Sequence, residues 1–266
     1  WECVVATDLL RTAVFQTRPF EVARGESDGI LEEGLQNLES ALKSRKALLP
    51  QLENTLAELA RVEVSPSPKP RVLLVGNLFL RFNAKLNQSI VARLEQLGAC
   101  VVSPPMSDYT LTARLQNRHL LAAQPGRRWL RLLNSLFVRS LTDVQAKFGK
   151  AAARAGLPRG EADFHELEHY VTEVLGIPWA LGGETLSVLG RVAQAIDRGD
   201  IDAVVHVNSL FCHPAYVSEA LIHPVLRGAK VPVLNLYFDG QGESHDPLAP
   251  LVKFLGNRVG SDNLRG

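Results

Sequence analysis

Apolar positions in the first quarter of the chain recur every three or four residues, the spacing of amphipathic α-helices. One stripe comprises Val5, Leu9, Leu10, Ala13 and Val14, and a second comprises Leu31, Leu35, Leu38, Ala41 and Leu42. Pro50 is expected to restart a third helix over Gln51–Leu59, because proline is tolerated in the first turn of a helix. The pattern predicts an N-terminal helical segment over residues 1–64.

The spacing changes after a proline-rich linker. Residues 65–70 read Ser-Pro-Ser-Pro-Lys-Pro, and three prolines at alternate positions keep the chain extended. Arg71–Gly76 is then a continuous apolar strand, as a sheet buried on both faces requires. Ala84–Leu97 has helical spacing and is closed by Gly98, and Ala99–Ser103 is a second strand. Together these elements predict a β-α-β unit.

Helical spacing then dominates until two further strands appear. The predicted helices are Leu111–Ala122, Arg127–Phe148, Glu161–Leu175 and Gly183–Arg198. The strands Ala203–Val207 and Val231–Phe238 enclose a helix over Ala215–Arg227, and Pro250–Leu255 forms a short last helix. This order predicts an α/β fold, a four-stranded parallel sheet of the flavodoxin or Rossmann-like kind with flanking helices. The predicted domain covers residues 71–266 and contains a long helical insertion over 108–200.

Composition is that of an ordinary globular protein, with 46% apolar and 21% charged residues. No apolar run is long enough to cross a bilayer, so no membrane partner is expected. Three cysteines, 97 and 112 residues apart, do not make a disulfide framework, and a reducing cytoplasm is the expected compartment. No secretory segment is visible, and Trp1 stands inside a helical pattern, so we expect further residues upstream.

The formal charge of +1 conceals an uneven distribution. Residues 109–160 hold ten Lys/Arg and one acid, Asp143, whereas the N-terminal helices are rich in Glu. The basic residues are Arg114, Arg118, Arg127, Arg128, Arg131, Arg139, Lys147, Lys150, Arg154 and Arg159. They predict either a surface for the acidic helices, a second subunit or the phosphates of CoA, or a solvated helix face. Nucleic acid is a weaker candidate, because Trp129, Phe137 and Phe148 provide little aromatic interleaving.

Cys212 follows the third predicted strand, in the sequence Leu210-Phe-Cys-His-Pro214. It is expected just past the carboxyl end of a parallel strand, the edge at which α/β sheets hold ligands and reactive groups. A thiolate there can bind a metal cluster or react with an electrophile. The alternative is a small buried residue in a β-α loop. We expect Cys3, in an N-terminal helix, and Cys100, at the start of a strand, to be structural, because free cysteine is among the most buried residue types.

Two stretches of the chain resemble one protein family. Residues 69–87, Lys-Pro-Arg-Val-Leu-Leu-Val-Gly-Asn-Leu-Phe-Leu-Arg-Phe-Asn-Ala-Lys-Leu-Asn, are similar to a segment of the form KP-strand-GE-x-x-x-R-x-N-x-x-x-N. Gly183-Glu184, the helix to Gly199-Asp200 and Val204–Pro214 resemble GE…G-D-x-V-strand-F-x-C-x-P. Both patterns belong to the 2-hydroxyacyl-CoA dehydratase superfamily, in particular to large dehydratase-like proteins that are fused or paired with an ATP-dependent activase. Residues 18–25 are similar to an RPYE…G segment of that group.

The resemblance implies an oxygen-sensitive 4Fe-4S cluster bound by cysteines at strand ends, with electrons from an ATP-hydrolysing partner. In that family the electron makes a ketyl radical on a CoA thioester, so an acyl-CoA is an implied ligand. Cys212 matches the cluster cysteine of F-x-C-x-P, although Leu210 stands where phenylalanine is usual. A cluster needs three or four thiolates, and Cys100 is predicted at the wrong edge of the sheet. Either upstream residues or another subunit complete the cluster, or this domain has lost it.

Polar residues are predicted at the same edge of the sheet. The candidates for ligand binding are Asn77, Arg81, Asn83, Asn87, Glu184, His213 and Asp239, and the candidate metal ligand is Cys212. Loop and capping roles are the alternative, with Asn83 capping a helix that begins at Ala84. Glu243 and His245 are expected on the loop that follows the last strand. The glycine spacing after Gly76 is wrong for a dinucleotide fingerprint, so NAD is not expected.

His165-Glu-Leu-Glu-His169 fits the zinc-binding pattern H-E-x-x-H on a predicted helix, with Glu166 as the base. A zinc hydrolase needs a third ligand, and Glu173 is too close in sequence to provide it. The same helix carries an ordinary apolar stripe, which favours a solvated helix face.

The sequence leaves three functions open. The first is an iron–sulfur component of the 2-hydroxyacyl-CoA dehydratase type, taking part in ATP-driven low-potential electron transfer or reductive dehydration of an acyl-CoA. Its partner would be an ATP-dependent activase or a second dehydratase-like subunit. The second is a non-catalytic α/β docking or scaffold domain of the same ancestry, without a complete cluster. The third is a zinc hydrolase that uses His165, Glu166 and His169.

Overall fold

A computed structural model of the chain describes residues 1–65, 67–124, 126–158, 164–226, 228–240 and 247–262. The strands form one sheet in which each neighbouring pair is parallel, and helices flank the sheet. The predicted α/β fold is therefore confirmed. The chain divides into two compact units, residues 1–67 with 105–163 and residues 68–104 with 164–266.

The elements follow one another in a simple order. The helices are α1 (Glu2–Thr17), α2 (Glu26–Lys43), α3 (Leu49–Leu59), α4 (Leu78–Phe82), α5 (Ile90–Gln96), α6 (Met106–Ala122), α7 (Arg128–Arg154), α8 (Phe164–His169), α9 (Thr185–Asp197), α10 (His213–Val225) and α11 (Leu248–Asp262). The strands are β1 (Arg71–Gly76), β2 (Cys100–Val102), β3 (Ala203–Ser209) and β4 (Val233–Phe238). A π-helical turn, Tyr170–Val174, continues α8. In the part of the chain that the structure describes, no helix combines the length and apolar character needed to span a membrane.

The first unit is a helical assembly around one apolar core. Helices α1, α2 and α3 and the C-terminal half of α7 contribute to it, for example through Leu10, Leu38, Leu56 and Phe148. The carboxylate of Asp8 on α1 accepts hydrogen bonds from the backbone nitrogens of Met106 and Ser107 at 2.9 and 2.8 Å. These bonds satisfy two of the amide groups that the start of α6 leaves without helical partners.

Packing divides the predicted helical insertion between the two units. The sequence-based boundaries placed all of residues 108–200 within the α/β domain, but α6 and α7 pack with the N-terminal helices. The reason is the apolar face of α7, where Phe148, Ala151 and Ala152 complete the core of α1 and α3. The second half of the insertion, α8 and α9, packs in the same unit as the sheet.

The second unit places helices on both faces of a sheet with strand order β2-β1-β3-β4. One face packs against α5 and α11 through residues such as Leu74, Leu94 and Leu255. The other face packs against α9 and α10 through residues such as Leu189 and Ile222. Strand order reverses between β1 and β3, because the chain moves from β1 to β2 on one side and returns to the other side for β3.

Several helix boundaries differ from the prediction, and two of them have a clear local cause. The helix predicted from Ala84 begins only at Ile90, because the preceding residues form turns and Ser89 has a φ of +56°. The side chain of Asn87 accepts a hydrogen bond from the nitrogen of Ile90 at 3.2 Å and so supports this later start. The last helix is longer than predicted and begins at Leu248, since Pro250 lies in its first turn, where proline is tolerated.

Candidate functional site

The carboxyl ends of β1 and β3 meet at the point where strand order reverses. In α/β sheets the loops after two such strands leave on opposite faces, and ligands bind in the crevice between them. Here the chain after β1 enters α4 and α5 on one face, and the chain after β3 enters α10 on the other. The two segments are joined by a hydrogen bond of 2.8 Å from the nitrogen of Asn77 to the oxygen of Val207.

Gly76 makes this close approach possible. Its φ is +114°, and a Cβ built on it would lie 2.1 Å from the backbone oxygen of Val207. Any side chain would therefore push β1 and β3 apart at the carboxyl edge. Glycine is required here for two reasons: the positive φ disfavours other residues, and the space for a Cβ is occupied by Val207.

Cys212 lies just past the carboxyl end of β3, as the sequence predicted. It is the N-cap residue of α10, the residue is partly exposed, and its nitrogen donates to the oxygen of Ser209 at 3.2 Å. The preceding residue, Phe211, has a φ of +64° and is 84% exposed. A large side chain in the left-handed region is unusual, and such strained residues are concentrated at functional sites. The start of a helix also stabilises negative charge.

Glu184 links the loop after β1 to the segment around Cys212. Its Oε1 accepts a hydrogen bond from the nitrogen of Leu78 at 2.7 Å. The adjacent Thr185 donates from its hydroxyl to the oxygen of Pro214 at 3.1 Å. Burial raises the pKa of the Glu184 carboxyl, and the charge of Arg81 partly opposes this. The start of α9 therefore bonds to the segments after β1 and after β3, on the two sides of the switch point, the place where strand order reverses.

Arg81 is buried and directs its guanidinium group to the protein. One terminal nitrogen donates to the hydroxyl of Ser103 at 3.1 Å and to the oxygen of Pro104 at 2.7 Å. Its guanidinium carbon lies 5.2 Å from the ring centre of Phe82. These contacts fix the segment that follows β2, so the structure favours a scaffolding role for Arg81.

The three candidate asparagines support the backbone of the same segment. Asn77 caps α4 by accepting from the nitrogen of Leu80 at 3.1 Å, and Asn83 accepts from the nitrogen of Leu86 at 3.1 Å. Asn87 is buried, and its amide donates to the oxygen of Leu80 at 2.6 Å. The capping alternative describes these contacts, although Asn83 begins a turn and not a helix.

His213 and Asp239 are the most exposed of the predicted binding residues. His213 is the first residue of α10, and Asp239 directly follows β4. Asp239 lies near the Cys212 segment in the fold, because the nitrogen of Leu210 donates to the oxygen of Phe238 at 3.3 Å. Glu243 and His245 lie outside the described residues.

Sequence reasoning missed a polar strip inside the sheet. It consists of His206 and Asn208 on β3 and of Asn235 and Tyr237 on β4, which are paired in register. Successive side chains of a strand point to opposite faces, so these four share one face, the face of α9 and α10. The available signal was their alternation with Val207 and Leu236 in otherwise apolar strands.

The polar strip reaches the Cys212 segment through Tyr237. The Tyr237 hydroxyl donates a short hydrogen bond to Glu219 of α10, and its ring stacks on Tyr216 with the ring centres 5.4 Å apart. Burial and this bond raise the pKa of Tyr237, and the nearby Cys212 contributes in the same direction. Tyr237 therefore connects the polar strip to Glu219 of α10 and lies near Cys212 at the start of that helix.

His206 is fully buried at the centre of the strip. Its Nδ1 lies 2.9 Å from Asn235 Oδ1 and 3.0 Å from Asn208 Nδ2, so it donates to the first in one tautomer or accepts from the second in the other. Its Nε2 has no hydrogen-bond partner among the described residues. Burial lowers the pKa of this ring, because the charged imidazolium loses its hydration.

Within the described part of the second unit, Cys100 and Cys212 do not share an iron–sulfur site. Cys100 begins β2 at the amino end of the sheet, opposite to Cys212, and burial raises the pKa of its thiol. Cys3 belongs to the other unit, on α1. Among the described residues no three His, Cys, Asp or Glu side chains come together as a metal site. Cys212 can supply one thiolate where three or four are needed.

The H-E-x-x-H segment does not form a zinc site within the described ranges. His165 and His169 are exposed on α8, and Glu166 accepts a hydrogen bond from Arg198 at 2.6 Å. An ion-paired glutamate on a solvated helix face matches the simpler interpretation of this motif. The geometry does not favour a hydrolase.

Comparisons with protein-family models, with curated proteins and with solved structures found no match to this chain.

Proposed function

We propose that this chain is a component of the 2-hydroxyacyl-CoA dehydratase type, in which Cys212 supplies one thiolate to an iron–sulfur centre that another polypeptide completes. The observation that carries the proposal is the placement of Cys212 at the switch point of a parallel sheet, partly exposed and at the start of α10. The motif order over residues 69–87 and 183–214 supports the same assignment. The activity would be ATP-driven low-potential electron transfer or reductive dehydration of an acyl-CoA.

The surroundings of Cys212 suggest how this chain would contribute. Glu184 bonds to the loop after β1, the adjacent Thr185 bonds to the segment after β3, and the exposed His213 and Asp239 border the same edge. An acyl-CoA is the proposed ligand, and an ATP-dependent activase or a second dehydratase-like subunit is the proposed partner. Because all three cysteines are free, we place the protein in a reducing cytoplasm.

An anaerobic reconstitution tests the assignment. The chain is incubated with ferric iron, sulfide and excess glutathione, and bound iron and acid-labile sulfide are measured. Glutathione reduces part of the iron to the mixed-valence state of the cluster and provides the thiolates that the chain lacks. We expect a chain-bound absorption band at about 400 nm that Cys212→Ser removes. Cys3→Ser and Cys100→Ser are matched controls and should retain the band.

Two outcomes would contradict the proposal. One is a colourless wild-type chain that retains no iron under these conditions. The other is equal iron binding by the wild-type chain and the Cys212→Ser variant, which would mean that the cluster forms elsewhere.

A second candidate function is a docking or scaffold domain of the same ancestry. It is favoured by one observation, that Cys212 is the one cysteine at the carboxyl edge of the described sheet. This function predicts no retained iron with glutathione present, together with an unchanged fold in the Cys212→Ser variant. Circular dichroism and iron analysis on the same samples separate the two functions.

A further inference from the structure

The first half of α7 carries an exposed apolar stripe. Its members recur at the spacing of one helix face, i, i+3, i+4, i+7 and i+8. They are Trp129, Leu132, Leu133, Leu136 and Phe137, which are between 47% and 63% exposed. We call these five residues the α7 stripe. Single exposed apolar side chains are common, whereas a contiguous row of this kind marks an interaction site.

The α7 stripe belongs to a well-anchored helix. Asn134, on the opposite side of α7, donates from its amide to the oxygen of Arg114 on α6 at 3.2 Å. Further along, Gln145 donates to the hydroxyl of Ser107 at 3.3 Å, and Phe148 is fully buried in the core of the first unit. The stripe is therefore presented on a fixed support, and a partner would meet a preorganised surface.

Arginines border the α7 stripe on both sides. Arg128 precedes Leu132 by four positions and Arg139 follows Leu136 by three, so both lie along one edge of the stripe. On the other edge, the guanidinium carbon of Arg114 lies 5.0 Å from the ring centre of Phe137. The stripe is thus an apolar surface within a cationic frame.

The cationic frame has few carboxylates to balance it. Residues 109–142 contain six Arg, no Lys and no Asp or Glu. Within the described ranges, Arg127, Arg128 and Arg131 make no ion pair, and Arg139 reaches Asp143 only at 4.0 Å. An occupant of the stripe would therefore need both apolar side chains and negative charge.

We propose that the α7 stripe docks a partner protein through an amphipathic helix whose apolar face is bordered by Asp or Glu. A second copy of this chain fits less well, because a two-fold contact would face one arginine frame with another. A bilayer fits less well too, because it attracts Lys and Arg alike, whereas residues 109–142 contain Arg and no Lys. Protein interfaces are enriched in Arg, Trp and Phe and depleted in Lys, which matches this surface. The proposal goes beyond the function of Cys212 and does not depend on it.

A peptide pair tests the charge requirement. The probe is a labelled synthetic helix of about 18 residues with Leu along one face and Glu on both flanks, and the control peptide replaces each Glu with Lys. Fluorescence anisotropy should show that the acidic peptide binds the full chain about tenfold or more tightly than the basic one. Equal affinity for both peptides would overturn the proposal.

Variants of the α7 stripe locate the binding surface. Leu132→Asp combined with Leu136→Asp should weaken the acidic peptide about tenfold or more, whereas Leu42→Asp, an equally exposed leucine on α2, should leave its binding unchanged. Arg128→Glu combined with Arg139→Glu should reverse the preference and favour the basic peptide. Circular dichroism checks that each variant is folded. Unchanged affinity of the acidic peptide for these variants would mean that it binds elsewhere, and would refute the assignment.

Two further measurements decide between occupants. Sedimentation with vesicles that contain phosphatidylglycerol would overturn the proposal if the full chain bound them and the double Leu→Asp variant did not. Sedimentation velocity would overturn it in favour of a second copy if the chain dimerised and the same variant remained monomeric. We expect neither vesicle binding nor dimerisation through this surface.

Discussion

The carboxylate of Glu184 accepts the backbone hydrogen of Leu78 at 2.7 Å, and so the start of α9 holds the loop that follows β1. This single contact joins segments 106 residues apart in the sequence. It lies beside the loop that carries Cys212, because Thr185 bonds to the oxygen of Pro214. Changes at Glu184 therefore test how much this contact contributes to the stability of the loops after β1 and β3.

Removing the Glu184 acceptor should destabilise the second unit. Glu184→Ala leaves the Leu78 amide without a partner in a half-buried place, and we expect a loss of about 1–3 kcal/mol in the free energy of unfolding. Glu184→Gln keeps an acceptor oxygen at the same place and should cost less. Urea denaturation at pH 7 compares the two, and an equal cost for both variants would argue against the hydrogen bond as the cause.

The pH dependence of the Glu184→Gln variant provides a second readout. Burial raises the folded-state pKa of Glu184 above its ordinary value of 4.5, so this group favours folding most below pH 4.5. That contribution is lost as the pH rises through the folded-state pKa. Relative to Glu184→Gln, the wild-type chain should therefore lose stability as the pH is raised from 4.5. Glu173→Gln, at an exposed glutamate, is the control.

Gly76→Ala should be more harmful than an alanine at another left-handed glycine. Gly98 has a φ of +100° with open space around its Cβ position, whereas a Cβ at Gly76 would meet Val207 at 2.1 Å. Gly98→Ala should cost about 1–2 kcal/mol from conformation alone. Gly76→Ala should cost about 2 kcal/mol or more in addition, because the backbone of β3 cannot move aside. Equal unfolding midpoints for the two variants would refute the steric account.

His206 should make the chain sensitive to mild acid. Burial lowers its folded-state pKa below the ordinary value of 6.5, so its contribution to stability is present above pH 6.5 and is lost as the pH falls toward the folded-state pKa. Over that interval the free energy of unfolding should fall by up to about 1.4 kcal/mol per pH unit. Urea denaturation between pH 5 and 8 measures this slope.

Substitution of His206 isolates its share of the slope. His206→Gln should flatten the acid side of the stability profile, whatever its effect at pH 8. His169→Gln, which removes an exposed histidine from α8, should leave the wild-type slope in place. A profile that His206→Gln does not flatten would mean that another group titrates there.

Tyr237 and Glu219 should be energetically coupled. Tyr237→Phe and Glu219→Ala each remove one partner of the same short hydrogen bond, so the double variant should be less destabilised than the sum of the single ones by about 1 kcal/mol. Tyr170 bonds separately to Asp197 at 2.6 Å, so Tyr170→Phe with Glu219→Ala is the matched pair without a contact. Thermal unfolding of the six proteins, wild type included, measures both couplings, and equal couplings would contradict a specific bond.

Some features of the candidate site followed from local sequence alone. The apolar runs at Arg71–Gly76 and Ala203–Val207 predicted buried parallel strands, and the position of Cys212 after the second run predicted its place at the carboxyl edge. Both predictions depend on near neighbours in the chain. Hydrophobic period and turn residues are local properties of the sequence, so both can be recognised before the fold is known.

Other features depend on distant partners that a single sequence does not identify. Arg81 and Asn87 were candidates for ligand binding, and the structure gives their hydrogen bonds to Pro104 and Leu80. A polar side chain near a strand end serves either purpose, and the choice depends on what lies within 3 Å of it after folding. Likewise, α7 has the pattern of an amphipathic helix, but packing decides which part of its apolar face remains exposed.

The sequence by itself determined the α/β class, the order of the strands along the chain and the placement of Cys212, because each follows from hydrophobic period and turn residues. Only the tertiary structure decided that β1 lies beside β3, that α6 and α7 pack with the N-terminal helices, and that His206 meets Asn235. The physical reason is the range of the interactions. Helix and strand periods arise between residues a few positions apart, whereas strand order and buried polar contacts are selected by the packing of the whole unit.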